Sequence, residues 1–266
     1  MPLKLMYITN SEDVAHIAEE AGVDRIFVDM EYIGKTDRQG GMDTVQSRHT
    51  ADDVRRLAQC LNKAELFVRV NPIHEKTDEY NSSKEEIDEA IEAGADLLML
   101  PYFKTAEEVQ TFVKYVNGRA KTVLLVETPE AAAIAEDLVQ IPGIDEMFIG
   151  LNDLSLGYGK NFMFELLLDG TVEELCLKFR KGGIPYGFGG IASLGKGMLP
   201  SEYVIKEHYR LGSACAILSR SFCRTGQVTD LKEIQKIFEI ELPKIRELEE
   251  ECRVCLLYTS DAADDK

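Results

Sequence analysis

Ala93-Gly-Ala-Asp-Leu-Leu-Met-Leu-Pro101 decides the fold. A glycine ends an amphipathic run, an aspartate follows two residues later, and four apolar side chains then lead to a proline. An uninterrupted apolar run of this length, with chain-breaking residues on both sides, reads as a strand buried on both faces of a parallel sheet. The same Gly-x-Asp joint recurs at Ala21-Gly22-Val23-Asp24 and at Pro142-Gly143-Ile144-Asp145. Working outward gives eight short apolar segments: 3–9, 25–30, 66–70, 96–101, 122–127, 146–150, 185–191 and 214–219. Amphipathic stretches follow them at 11–21, 50–62, 82–93, 105–117, 129–140, 162–182, 200–211 and 229–253. Thr105-Ala-Glu-Glu108 and Ser83-Lys-Glu-Glu86 read as helix starts, with a capping hydroxyl and acids in the first turn. Strand then helix, eight times over, predicts an α/β chain forming a single (βα)8 TIM barrel. An open doubly wound sheet fits less well, having no obvious switch point here and normally fewer strands.

Composition agrees. The chain has 266 residues, 45% hydrophobic and 29% charged, which suits one barrel of ~250 residues. No apolar run approaches the ~20 residues of a membrane span, and the start reads as a first strand, not a secretory leader. Six irregularly spaced cysteines suggest reduced thiols and a cytoplasmic location. A formal charge of −17 argues against nucleic acid or anionic membranes as partners. Residues 255–266, Cys-Leu-Leu-Tyr-Thr-Ser-Asp-Ala-Ala-Asp-Asp-Lys, break the preceding amphipathic pattern. They resemble the in-frame translation of a transposon adapter, so residues 1–254 are taken as the barrel with its C-terminal helix and 255–266 as a non-native tail.

In such a barrel, function gathers where strands end. Glu127 closes the run Val-Leu-Leu-Val-Glu (123–127), and Asp153 follows Phe-Ile-Gly-Leu-Asn (148–152). Two acids brought together at the mouth would repel unless a cation lay between them, and oxygen ligands suit Mg²⁺ or Mn²⁺. The same residues also fit a helix N-cap and a turn former. Asp29 and Glu31 alternate with Val28 and Met30, so both are expected to face the barrel interior. The loop after the second strand carries Tyr32, Lys35, Arg38, Arg48 and His49; the next carries Asn71, Pro72 and His74; the one after the sixth strand is Leu151–Lys160.

Several stretches resemble the pyruvate-type class II aldolase and citrate lyase β-subunit family, within the phosphoenolpyruvate/pyruvate barrels. They are Phe-Val-Asp-Met-Glu (27–31), Phe-Val-Arg-Val-Asn (67–71), Gly-Ala-Asp-Leu-Leu-Met-Leu-Pro (94–101), Lys-Thr-Ala-Glu-Glu (104–108), Val-Glu-Thr-Pro-Glu-Ala (126–131) and Pro-Gly-Ile-Asp-Glu-Met-Phe-Ile-Gly-Leu-Asn-Asp-Leu-Ser (142–155). Beyond residue 160 the likeness fades to topology. The resemblance implies a homo-oligomeric, metal-dependent carbon–carbon lyase acting through a pyruvate-like enolate. It makes Glu127 and Asp153 the metal ligands and Arg69 the cation on the pyruvyl oxygen. Arg69 fits that task because its planar fork offers two parallel donors, which lysine cannot; it also fits a salt bridge to Glu31 or Glu127.

Two departures stand out. The family's aldolases place a histidine directly after Asp-x-Glu, where this chain has Tyr32, and their partner acid aligns loosely with Glu92. Tyr32, His49 or His74 is therefore left to serve in proton transfer, with Asp29 orienting Arg69 or binding a water. Val116-Asn-Gly-Arg-Ala-Lys-Thr122 is short, as in the citrate lyase branch, so an acyl-CoA-type lyase is the alternative; a non-catalytic oxo-acid-binding barrel is another. The expected ligand is a small anionic oxo acid, with or without a phosphate. Gly150, Asn152, Asp153, Gly189, Gly190 and Arg220 join Arg69 as candidate substrate-binding residues. Gly189, Gly190 and Arg220 fall at the usual phosphate corner, where the glycines also fit close packing in a tapered barrel. The C-terminal run is expected to be kinked by Pro243, presenting Ile245 and Leu248 to a second subunit.

Overall fold

The computed structural model describes residues 1–34, 47–225 and 227–264, with side chains given as far as residue 255. Eight parallel strands close into a barrel in chain order, and β8 returns to pair with β1. The strands are β1 (Lys4–Ile8), β2 (Arg25–Asp29), β3 (Glu65–Arg69), β4 (Leu97–Leu100), β5 (Lys121–Val126), β6 (Glu146–Ile149), β7 (Tyr186–Ile191) and β8 (Cys215–Leu218). Each lies within one residue of its expected bounds at either end. The helices are α1 (Glu12–Glu20), α2 (Ala51–Cys60), α3 (Ser83–Glu92), α4 (Ala106–Val116), α5 (Pro129–Ala133), α6 (Ala135–Leu138), α7 (Leu151–Gly157), α8 (Glu165–Leu168), α9 (Thr171–Lys181), α10 (Ser201–Leu211) and α11 (Leu231–Asp264).

The Gly-x-Asp joints have a physical task. Gly22, Gly94 and Gly143 turn the chain with φ of +99°, +109° and +89°, a region closed to most side chains. Each following aspartate then caps the strand before it. Asp24 Oδ2 accepts from Leu5 N at 2.8 Å, Asp96 Oδ2 from Leu66 N at 2.7 Å, and Asp145 Oδ2 from Thr122 N at 2.8 Å. The orphan N–H at the start of β1, β3 and β5 is thereby satisfied.

Inside the barrel, Met6, Phe27, Phe67, Leu97, Met99, Val123, Leu125, Phe148 and Cys215 form one buried cluster; a larger one fills the space between strands and helices. Below the inner cluster, fully buried Arg25 bonds Glu65 Oε2 at 2.9 Å and both oxygens of Glu146 at 2.7 and 2.5 Å. β7 and β8 approach so closely that a Cβ on Gly187 would lie 2.3 Å from Cys215 O. All six cysteines are free thiols. Among the described residues, no helix is long and apolar enough to cross a membrane.

The structure corrects five expectations. The run 162–182 is two helices, broken at Gly170 with φ +89°, and 129–140 is broken at Ile134. Residues 151–157, expected as loop, form α7. α11 continues through Pro243 to Asp264, so the helix does not stop at 253. Ile245 and Leu248 are buried in the chain's own core, which removes the surface on which the expected subunit contact rested. α11 packs on α1 and α10 instead and ties to the first strand: Glu249 Oε1 accepts from Leu3 N at 2.7 Å, and Arg246 Nη1 donates to Leu3 O at 2.7 Å.

Candidate active site

The mouth is organised by the ends of β2, β3 and β5 and the turn after β6. Asp29 and Arg69 are register partners on β2 and β3. Arg69 Nε and Nη2 donate to the two oxygens of Asp29 at 2.9 and 2.8 Å, and Nη1 lies 3.4 Å from Glu31 Oε2. Burial opposes the guanidinium's charge, yet Asp29 and Glu31 hold its pKa above the ordinary arginine value. Asp29 and Glu31 are themselves buried. A buried fork of this kind fixes a cation in one orientation.

Glu127, one residue past β5, is 4% exposed. Its Oε1 accepts from Tyr102 N at 3.0 Å, and Tyr102 takes a left-handed φ of +48° to aim that N–H. Left-handed backbone in an aromatic residue is strained and clusters at functional sites. Thr128 caps α5, accepting from Ala131 N at 3.1 Å, and Pro129 opens the helix. Two glycines then press α7 against this corner. A Cβ on Gly150 would meet Glu127 Cβ at 2.7 Å and Oε2 at 2.9 Å; one on Gly157 would meet Pro129 Cδ at 2.6 Å. α7 thus carries Asp153 in its first turn beside the corner that holds Glu127, with Asn152 Nδ2 donating to Asp153 Oδ1 at 3.3 Å. The donor set fits a hard dication, because both side chains are oxygen-only ligands. Among the described residues, the one set of three His, Cys or acidic side chains with mutually close ligand atoms is His16, Glu19 and Glu20 on α1, away from the mouth.

The proton-transfer candidates separate. His49 Nδ1 accepts from Asp29 N at 3.0 Å, so the proton of the neutral ring sits on Nε2. The ring of His74 is taken up by its own loop, with Nδ1 2.7 Å from Pro72 O and Nε2 2.8 Å from Asn81 O. Tyr32 packs against Tyr80, with ring centroids 5.4 Å apart. Its hydroxyl pKa is raised by burial and then by Glu86 and Tyr80, so the phenol holds its proton more tightly. Glu92 is exposed at the end of α3, on the opposite face of the barrel from the mouth. Lys35 and Arg38 lie outside the described residues.

At the corner after β7 and β8, backbone donors bind within the chain. Ala192 N donates to Ser201 Oγ at 2.6 Å, Lys196 N to Ser193 O at 3.0 Å, Ser219 N to Ile191 O at 2.7 Å, and Ser221 N to Ser219 Oγ at 3.3 Å. The glycines here make room for packing. A Cβ on Gly189 would lie 2.7 Å from Leu151 Cδ1, and one on Gly190 3.2 Å from Ser219 Cβ. Arg220 is exposed.

Residues 4–166 match the family described as HpcH/HpaI aldolase/citrate lyase. The chain belongs to that family. Its relatives among solved structures share the barrel at low identity. An HpcH/HpaI aldolase/citrate lyase family protein from Burkholderia cenocepacia is 16% identical, with TM-score 0.65 over 88% of this chain and 95% of that one. An HpcH/HpaI aldolase from Desulfitobacterium hafniense is 15% identical, with TM-score 0.63 over 88% and 93%. A citrate lyase β subunit from M. tuberculosis, complexed with oxaloacetate and magnesium, is 13% identical, with TM-score 0.56 over 89% and 96%. No curated protein sequence matches the chain. The family's members include lyases of the aldolase and citrate lyase types.

Two residues of this site were given no role from the sequence. Tyr102 contributes through a backbone N–H, which no side-chain pattern reveals. Asn71 was visible in Arg-Val-Asn, but its task depends on which strand ends next to it.

Proposed function

We propose that this family member is a divalent-metal-dependent carbon–carbon lyase of the aldolase type, working through a pyruvate-like enolate. One observation carries the reading. Glu127, buried one residue past β5, and Asp153, in the first turn of α7, bring two oxygen-only side chains to the end of the barrel that carries the buried Arg69 fork. Such ligands suit a hard dication. Glu127 and Asp153 would hold the metal, which when bound supplies Lewis acidity toward a 2-oxo acid. Arg69 offers its Nη donors to the oxygen on which charge develops as the C–C bond breaks, and Asp29, holding Nε and Nη2, keeps the guanidinium from swinging. Gly150 and Asn152 bring the amino end of α7 to the substrate carboxylate. His49 serves in proton transfer through Nε2, in place of the imidazole the aldolases carry after Asp-x-Glu. The inward-turned donors of the β7–β8 corner favour an unphosphorylated oxo acid. The M. tuberculosis subunit, bound to oxaloacetate and magnesium, supports a ligand of this class.

The four-residue link between α4 and β5 favours a second reading, a lyase acting on an acyl thioester as in the citrate lyase branch. Proton exchange at C3 of pyruvate, followed by NMR in D₂O with saturating Mg²⁺ or Mn²⁺, tests the enolate. Wild-type protein should exchange, whereas Glu127→Gln and Asp153→Asn should lose both exchange and metal affinity while staying folded. No exchange in the wild type would leave a non-catalytic oxo-acid-binding barrel. Exchange in either variant at the wild-type rate would remove the metal assignment.

A further inference from the structure

The β2–β3 ladder ends with Met30 N donating to Arg69 O at 3.0 Å. Beyond that bond, a side chain takes over from the ladder. Asn71 is 1% exposed, and its Oδ1 accepts from Tyr32 N and Ile33 N, each at 2.9 Å. Two N–H donors on one atom fix which end of the amide is oxygen. Nδ2 then donates to Met30 O at 3.3 Å and to Glu86 Oε1 at 2.8 Å, while Asn71 N donates to the same oxygen at 3.1 Å. Three of these partners, Met30, Tyr32 and Ile33, bracket Glu31, whose carboxylate lies 3.4 Å from Arg69 Nη1. Glu86 comes from α3 and is buried. Its contacts with Asn71 are all with donors, so the carboxylate is what orients the amide. A buried polar network with every member satisfied holds one geometry, and a half-satisfied one does not.

We infer that Asn71, oriented by Glu86, is a positioning residue that sets Glu31 against Arg69 and so fixes the guanidinium that meets the substrate. Its kinetic consequence rests on the lyase reading above; its structural consequence does not.

Asn71→Asp tests it. The new oxygen faces Met30 O and the Glu86 carboxylate, both acceptors, and only an added proton shared by the two acids restores a donor. Two readouts apply: kcat for pyruvate C3 exchange, and the Arg69 Nε–H resonance in ¹⁵N spectra, assigned by its absence in Arg69→Lys. At about pH 8, kcat should fall about tenfold or more, with a much smaller change in KM. It should recover toward about pH 6, and the Arg69 signal should move away and return over the same range. Adding Glu86→Gln should restore both readouts at the higher pH, because the new amide supplies the missing donor. A pH profile parallel to wild type with an unmoved Arg69 signal overturns the inference. So does a folded Asn71→Asp protein that Glu86→Gln fails to rescue. If Asn71→Asp does not fold, Glu86→Met alone decides: it removes the acceptor that orients Asn71, and an Arg69 signal at its wild-type position refutes the proposal. Absent exchange in the wild type would sink the lyase reading and leave the resonance test standing.

Discussion

Gly150→Ala separates crowding from metal binding. Gly150 has φ −81° and ψ 87°, open to any L residue, so an added methyl acts through contact and not through backbone strain. That methyl would lie 2.7 Å from Glu127 Cβ, 2.9 Å from Oε2 and 3.2 Å from Leu125 Cδ1. Overpacking of this size typically costs about 1–3 kcal/mol of stability. To relieve it, Glu127 must turn, which endangers the 3.0 Å bond from Tyr102 N to its Oε1. A hydrogen bond to a charged group is worth about 1.5–3 kcal/mol. If that anchoring is lost from the metal-bound state, affinity should fall about 10- to 100-fold, at ~1.4 kcal/mol per decade. Gly182→Ala is the control. Its φ is an ordinary −74°, its added Cβ would meet Val139 Cβ at 2.5 Å, and it lies on the far side of the barrel. Mn²⁺ titration followed by electron paramagnetic resonance, with thermal melts alongside, should show both variants destabilised and only Gly150→Ala weakened for metal. Equal metal affinity in the two variants would refute the reasoning.

Arg69→Lys should lower C3 exchange about a hundredfold or more while changing the melting temperature little, because the charge remains and the fork is lost; full activity would make Arg69 structural only. His208 is wholly buried and stacked on Phe188, and burial pushes its pKa from the ordinary 6.5 down to about 3. A lowered histidine pKa stabilises the fold above the unfolded value and loses that contribution as pH falls toward the folded one. Stability should therefore drop by up to about 1.4 kcal/mol per pH unit below about 6.5. His208→Gln should flatten that slope in urea titrations, and an unchanged slope would exclude His208 as its source. Glu146→Ala should cost about 3 kcal/mol by leaving Arg25 buried with half its partners. Arg25→Met with Glu146→Leu should cost less, since Glu65 keeps Lys121 at 2.5 Å; the opposite order in chemical denaturation would refute the pairing argument.

The strands were legible because burial on both faces writes an unbroken apolar run, and the joints because Gly-x-Asp joins a left-handed turn to a cap. Period two placed Asp29 and Glu31 on the inner face with no knowledge of neighbours, and both meet Arg69. What escaped depended on contacts between distant segments. α7 is bounded by Gly150 and Gly157, which read as loop until Glu127 and Pro129 are known to press on them. Ile245 and Leu248 looked available because Pro243 suggests a break. A proline in a helix removes one hydrogen bond, however, and here the lower face of the barrel holds α11 in place through Leu3, Arg246 and Glu249. Tyr32 follows Glu31 directly, and alternation alone turns it away from the interior; its replacement of a histidine therefore concerns the outer wall beside Tyr80 more than the charge centre.

Arg25 and Arg69 show how one rule of packing yields a plug at one end and a candidate reaction centre at the other. Both are inward-facing residues at strand ends, and both meet two carboxylates. Each lies over a phenylalanine ring of the inner cluster, at 5.8 Å for Arg25 on Phe67 and 5.7 Å for Arg69 on Phe27. The difference is the neighbouring chemistry. Arg25 has Glu65 and Glu146, and Glu65 is shared with Lys4 and Lys121. Positive groups there surround the acids; against the burial that raises it, they hold the Glu65 carboxyl down at about 2. Arg69 meets Asp29 and Glu31 directly, Glu127 acts on it through space, and Asp153 stands in the turn after β6. Glu127 and Asp153 thus bring oxygen-only side chains to the C-terminal end of the strands, where barrels gather their ligands, whereas Glu65 and Glu146 sit with Arg25 at the other end. That placement is the physical ground for seeking the metal beside Glu127.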